Sequence, residues 1–139
     1  RVRIPLADVS LFSRAFELLS NRGNLLAIGA EFEGDLCAVR VGLRWQGILY
    51  DWYAGSSETG RELRADEWLV WQILQEGIAS GCEMFDFGGA GNPNEVYGPG
   101  EFKRRFGGLQ VNRGRFERIY HPVALRASKS AYDLWRRIS

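Results

Sequence analysis

Apolar positions in the first part of the chain recur at helical spacing. Leu11, Ala15, Leu18 and Leu19 share one side of the segment Leu6 to Leu19, with Asp8 or Ser10 placed to cap its start. Asn21-Arg22-Gly23-Asn24 ends that helix. The pattern then changes to short apolar runs divided by turn residues. Leu25 to Glu33, Leu36 to Trp45 and Ile48 to Ala54 are joined by Glu33-Gly34-Asp35 and Gln46-Gly47, which predicts an antiparallel meander of three strands. Gly55 to Gly60 reads as a polar loop. From Asp66, a candidate N-cap, to about Ala79 the helical period returns. Leu69, Val70, Ile73, Leu74, Gly77 and Ile78 lie on one side, opposite Glu67, Gln72, Gln75 and Glu76. Gly81 stands where a left-handed residue closes such a helix.

Glu83 to Phe87 reads as a fourth strand. A helix rather than a tight turn leads into it, so parallel pairing with Ile48 to Ala54 is predicted. Ala90 to Gly100 is loop, and Glu101 to Phe106 is a short helix with Phe102 and Phe106 on one face and Lys103 and Arg104 pointing elsewhere. Gln110 to Tyr120 is predicted as a fifth strand, and Ala124 to Ile138 as a closing helix carrying Leu125, Tyr132, Leu134 and Trp135. The order α-β-β-β-α-β-α-β-α implies an α/β (α+β) fold. Its sheet is mixed and largely antiparallel, with helices on both faces.

Composition adds limits rather than direction. A chain of 139 residues, 45% hydrophobic and 25% charged, is expected to form a single domain, 1–139, with its own core. Five Trp and eight Phe imply an aromatic-rich core or an aromatic groove. A net charge of +1 provides no global field to recruit nucleic acid. Lys103, Arg104, Arg105, Arg113, Arg115 and Arg118 nevertheless make the last third basic, as either a solvated face or a local anion site. Cys37 and Cys82 fit their strands as small apolar residues, and without a CxxC or a Cys/His cluster no metal site is expected. No apolar run approaches the ~18 residues of a membrane span, and no signal peptide is visible, so a cytoplasmic location is expected. The first residue is Arg1 rather than Met, which suggests a piece of a longer protein.

The densest chemistry lies in Gly81-Cys82-Glu83-Met84-Phe85-Asp86-Phe87-Gly88-Gly89 and, after a loop, Glu101-Phe102-Lys103-Arg104-Arg105-Phe106-Gly107-Gly108. A strand ending at Asp86-Phe87-Gly88-Gly89 leaves a carboxylate and backbone N–H groups at a sheet edge, where ligands of open sheets collect. Asp86 either serves that chemistry or pins the loop. Gly88, Gly89 and Gly91 allow close ligand approach or simply turn the chain. Lys103 can swing back over the edge as a cation. Asp86-Phe87-Gly88 also spells the kinase magnesium triplet, but no HRD-type loop or Walker lysine accompanies it. Gly98-Pro99-Gly100 before a helix is a phosphate cradle or a plain turn. Tyr50, Trp52 and Tyr53 line a groove or join the core, and His121, the single histidine, is a base or a structural residue.

With its element order and the strings D-F-G-G and F-K-R-R-F-G-G, the chain resembles the GNAT-like domain of Fem-type peptidoglycan bridge enzymes and related N-acyltransferases. The likeness spans about Leu25 to Tyr120 and is densest from Gly81 to Gly108. It implies transfer of an acyl or aminoacyl group from an ester or thioester to an amine, often of a cell-wall precursor. No covalently bound cofactor is implied, and the donor would be acyl-CoA or aminoacyl-tRNA, so tRNA is a possible partner. By the same resemblance Lys103 meets the donor and the developing negative charge. Asp86 becomes the second catalytic candidate, and Tyr50, Tyr53, Gly88, Gly89 and Arg104 become candidates for substrate binding. Fem-type proteins commonly pair two such domains, which would make this chain the second, C-terminal one. The stretch Gly55 to Ala65, where a GNAT pyrophosphate loop belongs, departs from the Q/R-x-x-G-x-G/A spacing.

The implied chemistry has two costs. Attack on the ester or thioester builds an oxyanion, and removing one donor to such an anion costs about 3–4 kcal/mol. An attacking lysine-type ammonium, of pKa about 10.4, must lose a proton, at about 4.6 kcal/mol at pH 7. Asp86 or Glu101, a group on the substrate, or a water chain are candidate bases. The competing reading is a non-catalytic GNAT-fold module that docks a partner.

Overall fold

Three consecutive strands pair in chain order through two tight turns, and a fourth joins their open side by a helical crossover. The structure is a computed structural model describing residues 7–91, 98–112, 114 and 117–138. The elements are α1 (Val9–Leu19), a 3-10 turn (Ser20–Arg22), β1 (Leu25–Phe32), β2 (Asp35–Trp45), β3 (Ile48–Ser56), α2 (Glu58–Glu62), α3 (Ala65–Ala79), β4 (Met84–Asp86), α4 (Gly98–Arg104) and α5 (Pro122–Ile138). They divide into two compact units, Asp8–Gln110 and Arg1–Ala7 with Val111–Ser139. The first unit holds the sheet, in order β1-β2-β3-β4. β1–β2 and β2–β3 are antiparallel, and β3–β4 is parallel, with Ile48, Leu49 and Tyr50 opposite Met84, Phe85 and Asp86. The mixed, mostly antiparallel sheet and the parallel fourth strand are as the sequence predicts.

The apolar face of α3 makes the core. Leu49 of β3 and Leu69, Val70 and Ile73 of α3 are fully buried, each worth about 1.5–3 kcal/mol of transfer from water. Gly42 on β2 leaves room for Leu49 and Ile73, and Gly77 on α3 does the same for Leu49. Because Gly42 turns toward α3, its neighbour Val41 and that residue's partner Tyr53 face the other way. There Phe12 of α1 packs edge-on against Tyr53, with ring centroids 4.8 Å apart, and lies 5.7 Å from Trp52. Helices thus cover both faces. Asp8 is the cap of α1, its carboxylate accepting the Ser10 N–H at 2.9 Å. The inward positions of α1 are Phe12, Ala15 and Leu19, whereas Leu11 and Leu18 are exposed.

Local chemistry explains three further departures. Gly55 to Gly60 is not a loop: β3 runs to Ser56, and the Ser57 hydroxyl accepts the Gly60 N–H at 3.1 Å to cap α2. Asp66 is not the cap of α3. Arg64 holds that position in a left-handed conformation, and the Asp66 carboxylate reaches the Ser56 hydroxyl at 2.6 Å instead. The described residues of Gln110 to Tyr120 form no strand. Gly114 takes φ +72 and donates its N–H to the Asn112 side chain, a turn that interrupts extended pairing. By contrast Gly81 closes α3 as expected, with Cys82 N–H to Gly77 O at 2.9 Å and Gly81 N–H to Ile78 O at 3.0 Å. The second unit contributes α5, with Tyr132 and Trp135 rings 5.7 Å apart.

Gly60 presses against β2 so closely that an added Cβ would fall inside the Cys37 carbonyl, whereas Gly55 faces open space. Gly60→Ala should therefore cost about 1–3 kcal/mol in chemical denaturation. Gly55→Ala, in the same melts, should stay within about 0.5 kcal/mol of the parent.

Candidate functional site

Lys103 is brought to the end of β4 by aromatic packing. Phe102 and Phe106 on and just after α4 lie 5.3 Å apart, and Phe106 meets Phe87 at 6.0 Å, which seats the short helix on the strand end. From there Lys103 Nζ donates to Phe87 O at 2.5 Å and to Gly89 O at 2.7 Å. An ammonium has three N–H donors, so one remains for another acceptor. The cation thus closes the loop after β4 and stays beside its C-terminal end. Burial holds the Lys103 ammonium below the ordinary lysine value; the Asp51 charge opposes this, the Arg40 charge adds to it, and Asp86 opposes it.

The remaining predicted residues are distributed unevenly around this point. Asp86 accepts the Gly88 N–H at 2.7 Å, and Gly88 takes φ +69, so the carboxylate shapes the turn and that N–H is not bare. Gly89 contributes its carbonyl to Lys103. Tyr50 stands opposite Asp86 in the parallel register and is half-buried. Tyr53 belongs to the Phe12–Trp52–Tyr53 aromatic cluster. Arg104 is exposed and paired with Glu101, which engages the alternative base as well. His121 lies in the other unit, exposed, its carbonyl accepting the Leu125 N–H at the start of α5. Gly98-Pro99-Gly100 forms the first turn of α4 itself.

Sequence reasoning missed the charges beneath the site. Arg40 of β2 is only 3% exposed, and its Nη1 donates to both carboxylate oxygens of Asp51 on β3, at 2.9 and 2.7 Å. Its Nη2 lies 4.0 Å from Asp66 on α3, and its Cζ 6.0 Å from the Phe102 ring. Burial pushes the Asp51 carboxyl above the usual carboxylate value, while Arg40, by charge and hydrogen bond, draws part of that back. A signal did exist. Arg40 and Asp51 interrupt two apolar strand runs with opposite charges, and pairing the strands through the Gln46-Gly47 turn puts them on one face.

An apolar hollow of about 200 Å³, lined by Leu49, Leu74, Ile78, Met84 and Phe85 among others, lies at the opposite, N-terminal end of β4. The stretch Gly55 to Ala65 is filled by the end of β3 and by α2, and it contains no glycine loop of the pyrophosphate-binding kind. Among the described residues, no helix is long and apolar enough to cross a membrane.

A cation clasps the end of the parallel strand in a helix-flanked, mixed α/β sheet. A family model described as an acetyltransferase (GNAT) domain matches residues 2–104, and the chain belongs to that family. Its class of chemistry is therefore acyl transfer from a donor to an amine. No curated protein and no solved structure matches the chain.

The Arg40–Asp51 pair bridges the two strands from inside, so removing one partner strands a buried charge. Arg40→Ala should lower unfolding free energy by about 3–5 kcal/mol, whereas Arg40→Met combined with Asp51→Leu should stay near the parent. Urea melts of the three proteins check both outcomes.

Proposed function

We propose that the domain is a Fem-type N-acyltransferase in which Lys103 is the working cation. It moves an acyl or aminoacyl group from an activated ester or thioester onto an amine, such as that of a cell-wall precursor. The observation that carries this reading is the position of Lys103: partly buried, tied to Phe87 O and Gly89 O, with a donor left over at the C-terminal end of a parallel strand. The motif pair around Asp86-Phe87-Gly88-Gly89 and Phe102-Lys103 supports the Fem-type assignment. Membership in the acetyltransferase family supports the reaction class.

In this mechanism the amine attacks the donor carbonyl, the C=O electrons move to oxygen, and Lys103 stabilises that oxygen. The amine's proton passes to a base or to water, and collapse re-forms the C=O and expels the thiolate, or the ribose oxygen, which takes up a proton to leave as the hydroxyl. A cation held by the protein before reaction needs no reorganisation as the charge develops. The donor already carries an activated acyl group, so no enzyme nucleophile is required. Acyl-CoA and aminoacyl-tRNA share that activated carbonyl. A thermal-shift screen with both, and with UDP-linked muropeptides as acceptors, identifies the partners, since ligand at 100-fold over its Kd adds about 2.7 kcal/mol.

Lys103→Ala should lower the rate of acyl transfer by about 10²–10³-fold. Because Lys103 also closes the loop, stability should fall by about 1.5–3 kcal/mol, which leaves a folded protein to assay. Turnover near that of the parent would exclude the proposed role. The pH profile gives a second check. With hydroxylamine, an acceptor already neutral near pH 7, the rate should decline on the alkaline side below the ordinary lysine value, as the cation is lost. Lys103→Arg should move that decline upward, because a guanidinium stays charged.

A further inference from the structure

The charges beneath Lys103 are on three different elements, and among them Asp51 lies next to the strand end with both carboxylate oxygens bonded to Arg40. Asp51 follows Tyr50, which stands opposite Asp86, so the register puts Asp51 beside Phe87, whose carbonyl Lys103 clasps. The backbone confirms the approach: a Cβ on Gly88 would sit 3.9 Å from the Asp51 carbonyl oxygen. The Asp51 side chain is 12% exposed and its two oxygens are both taken by Arg40 Nη1. Among the described residues, the charged groups facing this point are Arg40 from β2, Asp51 from β3, Asp66 from α3, Asp86 from β4 and Lys103 from α4. Asp66 is turned toward the Ser56 hydroxyl, and Asp86 is bound to its own turn.

We propose that Asp51 is a positioning residue for Lys103: clamped by Arg40, it sets a fixed negative charge under the end of β4 that keeps Lys103 protonated where it clasps Phe87 and Gly89. This rests on reading Lys103 as the working cation. The physical case is a contest of local terms. Burial strips water from the ammonium and favours its neutral form, and Arg40 adds like-charge repulsion. A carboxylate in the same low-dielectric interior opposes both far more strongly than an exposed one would, because solvent does not screen it. Arg40 then has two effects of opposite sign. Directly it repels Lys103, yet by holding Asp51 ionised and still it maintains the charge that attracts Lys103. Its Nη1 donates to both Asp51 oxygens, while its Nε is a buried donor without a partner among the described residues.

The test reads the charge of Lys103 directly. The chain has only two lysines, Lys103 and the exposed Lys129, so trace acetylation with acetic anhydride, which reacts with the neutral amine, reports on each by peptide mass spectrometry. The pH midpoint of Lys103 labelling measures its protonation, and the alkaline plateau measures its accessibility. Asp51→Asn should move the midpoint to lower pH, raising Lys103 labelling at a fixed mildly alkaline pH by about three- to tenfold relative to Lys129, with the plateau unchanged. Asp51→Glu should restore the midpoint. If Asp51→Asn fails to fold, Arg40→Met with Asp51→Leu provides a folded form without either charge, and its midpoint should also fall, by less. A midpoint that stays at the parent value in a folded variant, or a change in plateau alone, overturns the proposal. Labelling requires no turnover, so this outcome is independent of whether Lys103→Ala abolishes acyl transfer.

Discussion

A guanidinium sealed between two strands and a helix organises the charged interior of this domain. Arg40 reaches from β2 to grip the Asp51 carboxylate on β3, and it lies near Asp66 on α3 and the ring of Phe102. Buried ions are tolerated only when paired with good geometry, so the pair constrains what may surround it. The strands must keep the register that brings Arg40 and Asp51 to one face. That register includes the irregularity between Val41 and Gly42, where Trp52 is left without a direct partner. The start of α3 must lie close enough for Asp66 to share in the charge. Above this pair, the end of β4 receives Lys103 into a setting where its own charge is partly desolvated and partly matched.

That arrangement makes sense of what acyl transfer requires. The reaction generates negative charge on an oxygen, and in the mechanism we propose a cation held in place beforehand stabilises it. A lysine at the surface of a long helix would be mobile and fully hydrated. Lys103 is neither, because two backbone carbonyls hold its ammonium and aromatic rings hold its helix. Burial at that position lowers its affinity for a proton, and the charge of Asp51 opposes that effect. The carboxylate we propose for that role, Asp51, comes from β3, remote in sequence from the glycine-rich segment.

Family membership and local structure answer different questions. The match to the acetyltransferase (GNAT) domain covers residues 2–104 and defines the type of reaction. Site chemistry has to be argued from the residues themselves, since one fold serves many purposes. Here the stretch from Gly55 to Ala65 is instructive. It holds a serine-capped turn of helix packed on Cys37, where glycines spaced for a pyrophosphate are absent. The cation of the strand–glycine–lysine segment, Lys103, is instead tied to the chain just beyond β4. These two facts distinguish this domain from a member recognised by its phosphate loop alone.

The strand meander, the helix Ala65–Ala79 with its Gly81 stop, and the parallel entry of β4 were legible because each depends on local patterning: period 2, period 3.6, and the glycine at a left-handed position. Lys103 was legible too, as a cation after a strand that ends in glycines. Errors arose where distant groups compete with local ones. Asp66 has the chemistry of an N-cap, yet Ser56 and Arg40 draw its carboxylate away from the helix start. Ser57, in a stretch that reads as loop, captures the Gly60 N–H and makes a helix. Gln110 to Tyr120 alternates well enough for a strand, but the turn at Asn112 and Gly114 breaks it. By itself, then, the sequence determined the helix α3, the strand meander, the parallel fourth strand and the strand–glycine–lysine segment. The hairpin turn puts Arg40 and Asp51 on one face, but only the tertiary structure decided that they are buried as a pair beneath it, because burial depends on α3 and α4, which no local pattern of the two strands encodes.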